Sequence, residues 1–213
     1  MKRDWDERAR ENAMYYVSSG REDWTVAEFF DWGRESVDAT LAPVLELVTQ
    51  GRDPKTLRVL EIGCGVGRMT RHLAELFGEV HGIDVSGEMI ARARELLADV
   101  PNAFLYETNG EDLGLFRDGF FHYAYSFLVF QHIPFREVIV NYFRETYRTL
   151  EPGSMFMFQV QGIVLPGERD TWEGVGFSED ELRELAEEIG FEAVLVYGEG
   201  TQYFWNWWRR PPL

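Results

Sequence analysis

The chain has 213 residues, 45% hydrophobic and 15% aromatic, enough for one domain with a substantial core and unlike a disordered segment. A formal charge of -16, from 21 Lys and Arg against 37 Asp and Glu, disfavours nucleic acid and anionic membrane surfaces as partners. A single cysteine, Cys64, excludes an internal disulfide and fits a reducing cytoplasm, and no stretch is long and apolar enough to cross a membrane.

The N-terminus is charged and amphipathic, which does not read as a signal peptide. Trp5, Ala9, Ala13 and Tyr16 share one face of a predicted helix that Ser18, Ser19 and Gly20 interrupt. Thr25 and Glu28 have capping-box spacing ahead of an apolar stripe, Phe29, Phe30, Gly33, Val37, Leu41, Val44 and Val48. Pro43 divides that helix near Ala42, and residues 51–54 turn out of it. A helical cap over 1–54 followed by a domain over 55–213 is the expected organisation.

From Leu57 strands and helices alternate. Strands are expected at 57–62, 80–84, 103–107, 120–126 and 155–160, with helices over 69–77, after Ser86, and carrying Ile139, Tyr142, Phe143, Thr146 and Leu150 inward. The "EPGS" of residues 151–154 reads as a turn. Ser178 and Glu181 form a second capping box for a helix closed by Gly190, and the aromatic-rich end folds as an antiparallel hairpin. The pattern implies an α/β fold: a three-layer α/β/α sandwich on a Rossmann-like, seven-stranded, mostly parallel sheet with one antiparallel strand, plus N-terminal helices.

The first strand runs straight into Gly63, Gly65 and Gly67. In such sheets ligands bind beyond the carboxyl ends of the strands, so this turn opens on the ligand crevice. A dinucleotide fingerprint needs glycine or alanine at position 68, where Arg68 stands, or at position 70, where Thr70 stands. Asp84 ends the second strand twenty-one residues beyond Gly63, about the distance at which a carboxylate reaches ribose hydroxyls.

Glu61–Gly67, read as E-x-G-x-G-x-G, together with Asp84 and "LEPG" at 150–153, resembles the class I S-adenosylmethionine-dependent methyltransferases over roughly residues 55–160. The resemblance implies a cofactor site. Glu61, Gly63, Cys64, Gly65 and Gly67 would carry the methionine part and ribose on bare backbone, with Asp84 at the ribose hydroxyls. Met89 would pack by the adenine and ribose, Asn109 and Gly110 would meet the adenine edge, Ser126 and Phe127 would floor the methionine end, Tyr15 and Tyr16 would close over the cofactor, and Val85 and Glu111 would also contact it. Two departures stand out: Asn109 replaces the family's usual Asp, and Phe121-His122 lacks a carboxylate often found there.

Read from the residues alone, the same positions have plainer explanations: a tight turn, a solvated strand-end acid, a core methionine and a packed thiol. His132, after the fourth strand, is the candidate general base, with local backbone capping as its alternative. Trp205 and Trp207 share a strand face and read as core or as a subunit contact. No local spacing suggests a metal. The expectation is methyl transfer from S-adenosylmethionine, leaving S-adenosylhomocysteine, to O, N or C of a small molecule. The protein is expected to be a cytoplasmic monomer or homodimer. The alternatives are a non-catalytic cofactor-binding module, a nicotinamide oxidoreductase or an aminopropyl transferase.

Overall fold

Short β-branched and aromatic runs bounded by turn signals become strands, and the computed structural model, which describes residues 1–213, has seven of them. The chain divides into two units, Met1–Gly110 and Glu111–Leu213.

The first unit contains α1 (Lys2–Val17), α2 (Val26–Leu41), α3 (Leu45–Thr49), β1 (Arg58–Ile62), α4 (Thr70–Leu76), β2 (Glu79–Asp84), α5 (Gly87–Leu96) and β3 (Ala103–Glu107). Its strands are parallel, and their register sets Ile62 beside Ile83 and Asp84 beside Glu107, so their carboxyl ends lie level. The Thr25–Glu28 capping box forms with both halves present. Pro43 falls in a 3-10 turn, Ala42–Val44, that separates α2 from α3. Helix α1 is broken at Asn12 (φ -160, ψ 87), whose side chain accepts the Tyr15 N–H and donates to the Glu22 carbonyl.

Ala9 and Ala13 bury against Phe29, Val66 and Met89, with Trp5, Tyr16 and Val17 packed around them. The N-terminal helices therefore group with β1–β3, α1 on α5 and α2 on α4, and the division of the chain does not fall at residue 54. Their apolar stripes find partners in this unit's own helices.

The second unit contains β4 (Phe121–Ser126), α6 (Arg136–Thr149), β5 (Leu150–Val160), α7 (Glu179–Ile189), β6 (Glu192–Tyr197) and β7 (Phe204–Arg209). Strand β4 runs parallel to β5, while β7 is antiparallel to both β5 and β6. Phe143 of α6 rests on Phe158 and Trp208, at centroid separations of 4.7 and 5.0 Å.

Residues 151–154 do not turn the chain away, as the sequence suggests. They lie inside β5 as a bulge, between the pairs Phe121–Leu150 and Tyr123–Met155. The Gly153 N–H bonds to the Arg210 carbonyl and the Arg210 N–H to that of Ser154, so this backbone stays paired. Ser178 caps α7, but the Glu181 carboxylate pairs with Arg136. The strand order is β3-β2-β1 in the first unit and β4-β5-β7-β6 in the second, and the seven strands, mostly parallel and flanked by helices, are the Rossmann-like architecture expected. No helix is long and apolar enough to cross a membrane.

Candidate functional site

The turn after β1 is tied to the strand beside it: the N–H groups of Gly63 and Cys64 both donate to the Ile83 carbonyl, at 2.8 and 2.9 Å. Gly65 and Gly67 sit at φ 54 and 87, the left-handed region that disfavours side chains. A Cβ on Gly65 would stand 2.7 Å from a methyl of Val17, and one on Gly67 2.5 Å from a methyl of Leu97. These two glycines thus admit the end of α1 and the residue after α5. Arg68 is buried and donates to the Ser36 hydroxyl of α2.

Glu61 is buried at the end of β1 and accepts the Thr70 hydroxyl at 2.6 Å, joining the strand to the first turn of α4. Burial pushes its carboxyl up to about 8, against the opposing pull of that hydrogen bond and the Arg68 charge. Burial also raises the Cys64 thiol well above its ordinary range, so it is a packed, protonated group.

Asp84 is half-buried at the end of β2. One carboxylate oxygen accepts the Gly65 N–H and the other the Ser86 N–H, both at 2.9 Å. Burial raises this carboxyl to about 6; the N–H groups of Ser86, Gly65 and Val85 pull it back and the charge of Asp6 adds to the rise. Ser86 caps α5 by accepting the Met89 N–H at 3.1 Å.

Asp6 of α1 joins this group. It accepts the Ser86 hydroxyl at 2.7 Å and the Glu88 N–H at 3.3 Å. The sequence gives no hint of this contact, because eighty residues separate the partners and no spacing rule links them.

The other expected residues of this unit are spread differently. Val85 is half-buried, and its carbonyl accepts from Lys2 at 3.5 Å. Met89 is 1% exposed within the α1 cluster. Tyr16 packs on that cluster and donates to Glu11 at 2.8 Å. Asn109 is exposed, and Gly110 is buried at φ 76.

In the second unit Ser126 is fully buried at the end of β4 and Phe127 half-buried just beyond it. Leu128 then takes φ 59, a left-handed conformation that a leucine adopts only under constraint. Phe127 stacks on Tyr125 and meets Trp205, whose ring lies 5.4 Å away, and Trp205 stacks on Trp207. Glu111 is exposed, and its carbonyl accepts from Asn141. His132 ends a 3-10 turn, with its Nδ1 2.8 Å from the Trp172 carbonyl and its Nε2 3.1 Å from the Gln131 amide nitrogen. Because a carbonyl only accepts, Nδ1 carries the proton and Nε2 the lone pair. Gln131 in turn accepts from the buried Gln159 at 2.7 Å.

Asp84 thus ends β2 as a carboxylate gathered by backbone N–H groups of the glycine turn and of the start of α5. Residues 60–158 match the family model described as "Methyltransferase domain". Over that stretch the chain is similar to a methyltransferase domain, consistent with the class I S-adenosylmethionine-dependent methyltransferases.

The cofactor that goes with this methyltransferase domain is S-adenosylmethionine. Among curated relatives, a dTDP-3-amino-3,6-dideoxy-alpha-D-glucopyranose N,N-dimethyltransferase of Streptomyces fradiae is 34% identical over 41% of this chain and 31% of its own length. A 2-methyl-6-phytyl-1,4-hydroquinone methyltransferase of Synechocystis sp. is 33% identical over 49% of the chain and 32% of its own length. The matched stretches thus span about a third of these relatives. The magnesium protoporphyrin IX methyltransferase of Synechocystis PCC 6803, solved with S-adenosylhomocysteine bound, is similar in fold at TM-score 0.68 and 18% identity, over 97% of this chain and 95% of that one.

Proposed function

We propose that this chain transfers a methyl group from S-adenosylmethionine to O, N or C of a small-molecule acceptor and releases S-adenosylhomocysteine. The observation that carries the reading is Asp84, a carboxylate held by the Gly65 and Ser86 N–H groups at the end of β2, where it would accept the ribose hydroxyls. Around it Glu61, Gly63, Cys64 and Gly67 shape the turn, and Val85, Met89, Asn109, Gly110, Glu111 and Tyr16 keep the cofactor roles that the family resemblance gives them.

The sulfonium of the cofactor supplies an already activated methyl group, so the protein's work is alignment and, where the acceptor demands it, proton removal. Ser126 and Phe127 take the methionine end. His132 is the base, with its tautomer set by Trp172 and its lone pair on Nε2, which Gln131 caps until an acceptor replaces that contact. Both curated relatives are named for small acceptors, an amino sugar nucleotide and a hydroquinone, which supports a small molecule here.

Incubation with S-adenosylmethionine and a panel of amino sugars, phenols and hydroquinones, read by mass spectrometry, tests the reading. Acceptor-dependent formation of S-adenosylhomocysteine is expected, and it should fall at least tenfold in His132→Ala if the imidazole takes the proton. One observation favours a second reading as a non-catalytic cofactor-binding module: both imidazole nitrogens of His132 are engaged by protein. Firm S-adenosylhomocysteine binding without turnover across the panel would decide for the module.

A further inference from the structure

Helix α1 lies across the carboxyl end of the first unit's strands. Val17 rests on Gly65, while Lys2 pairs with Glu107 at 2.6 Å and reaches Asp6 at 3.5 Å. Between those points Asp6 bonds to Ser86 and Glu88, just beyond Asp84, and Arg10 pairs with the Glu88 side chain. The Asp6 Oδ1 accepts the Ser86 hydroxyl, which leaves the Ser86 Oγ lone pair to accept the Met89 N–H, while the Ser86 N–H donates to Asp84. One carboxylate thereby fixes the rotor, the helix start and the strand-end acid in sequence.

We propose that Asp6 is a positioning residue: through Ser86 and the first turn of α5 it holds the carboxylate of Asp84 in the orientation that receives the ribose hydroxyls. The inference rests on the proposed binding of the adenosyl group at Asp84. Four groups crowd this acid: Asp6 from α1, Glu61 from β1, Cys64 from the glycine turn and, level with it on β3, Glu107, which Lys2 neutralises. Asp6 itself stays ionised. Burial pushes its carboxyl up, but the Ser86 hydroxyl, the Glu88 N–H and Lys2 together hold it below its ordinary value.

The ribose hydroxyls donate, so they favour the ionised form of Asp84. Affinity for the nucleoside should therefore climb as pH rises through about 6 and level off above it. Removing the Asp6 charge makes Asp84 easier to ionise and moves that inflection to lower pH.

Calorimetric titration of S-adenosylhomocysteine into the full chain between pH 5 and 8 tests this. Asp6→Ala should bind about 5–10-fold more weakly at pH 8, the worth of about one charge-assisted hydrogen bond passed through a neighbour. Asp6→Asn keeps the accepting oxygen, so it should stay within about twofold of the native chain at pH 8 while its inflection falls below the native one. A merely structural role would weaken both variants and leave the Asn inflection in place. Native affinity and a native inflection in both variants would overturn the inference while leaving the methyltransferase reading intact. No binding of the nucleoside by the native chain would overturn that reading and this inference together.

Discussion

In the first unit the strand ends are held by backbone: Gly63 and Cys64 donate to Ile83, Gly65 and Ser86 donate to Asp84, and the carboxylates that remain are raised by burial. In the second unit the corresponding ends are held by side chains. Phe127 leans on Trp205, Gln159 reaches Gln131, Gln131 reaches His132, and Leu128 is pressed into a left-handed conformation. The proposed function gives this contrast a reason. A cofactor shared across a family needs backbone N–H groups and one acid at fixed spacing, whereas an acceptor peculiar to one protein is met by side chains that can vary without disturbing the strands.

Glu61 offers the largest break of this contrast. Its carboxyl titrates near 8 in the folded chain and near its ordinary 4.5 when unfolded, so the folded state holds the extra proton between those values. Stability then falls as pH rises through that window. Glu61→Gln, which mimics the protonated group, should lose about 2–3 kcal/mol less than the native chain between pH 6 and 8. Parallel pH profiles in denaturant unfolding would show that the buried acid does not carry this cost.

For the second unit, Leu128→Ile should destabilise by about 1–2 kcal/mol, because a β-branched residue tolerates φ 59 less well than leucine. Leu128→Gly, which adopts that conformation freely, should stay within about 1 kcal/mol of native, since strain relief offsets the lost side chain. Equal losses in both would mean that packing, not backbone strain, governs the position. The smallest effect belongs to Asn109: Asn109→Asp should tighten S-adenosylhomocysteine by about 0.5–1 kcal/mol if the residue accepts from the adenine amino group, and unchanged calorimetry would remove it from the site.

Legibility in the sequence divides along the same line. Strand–helix alternation, the capping residues Thr25, Ser86 and Ser178, the Pro43 break and the glycine turn are local signals, and the structure bears them out. The spacing from Gly63 to Asp84 is nearly local, since one helix joins two adjacent strands. Asp6 on Ser86, His132 on Trp172 and Gln159 on Gln131 are tertiary contacts with no periodicity to announce them. The bulge at 151–154 was hidden for another reason: its Pro and Gly spell a turn, and only pairing with the chain's last residues holds it in the sheet.

The proposed grip of Asp84 on the ribose is tested most directly by calorimetry of the native chain and Asp84→Ala with S-adenosylhomocysteine, and of the native chain with NADH. The native chain should bind S-adenosylhomocysteine and not NADH, and Asp84→Ala should weaken that binding by about 1.5–3 kcal/mol. Undiminished binding in Asp84→Ala, or NADH binding in preference to S-adenosylhomocysteine, would contradict it.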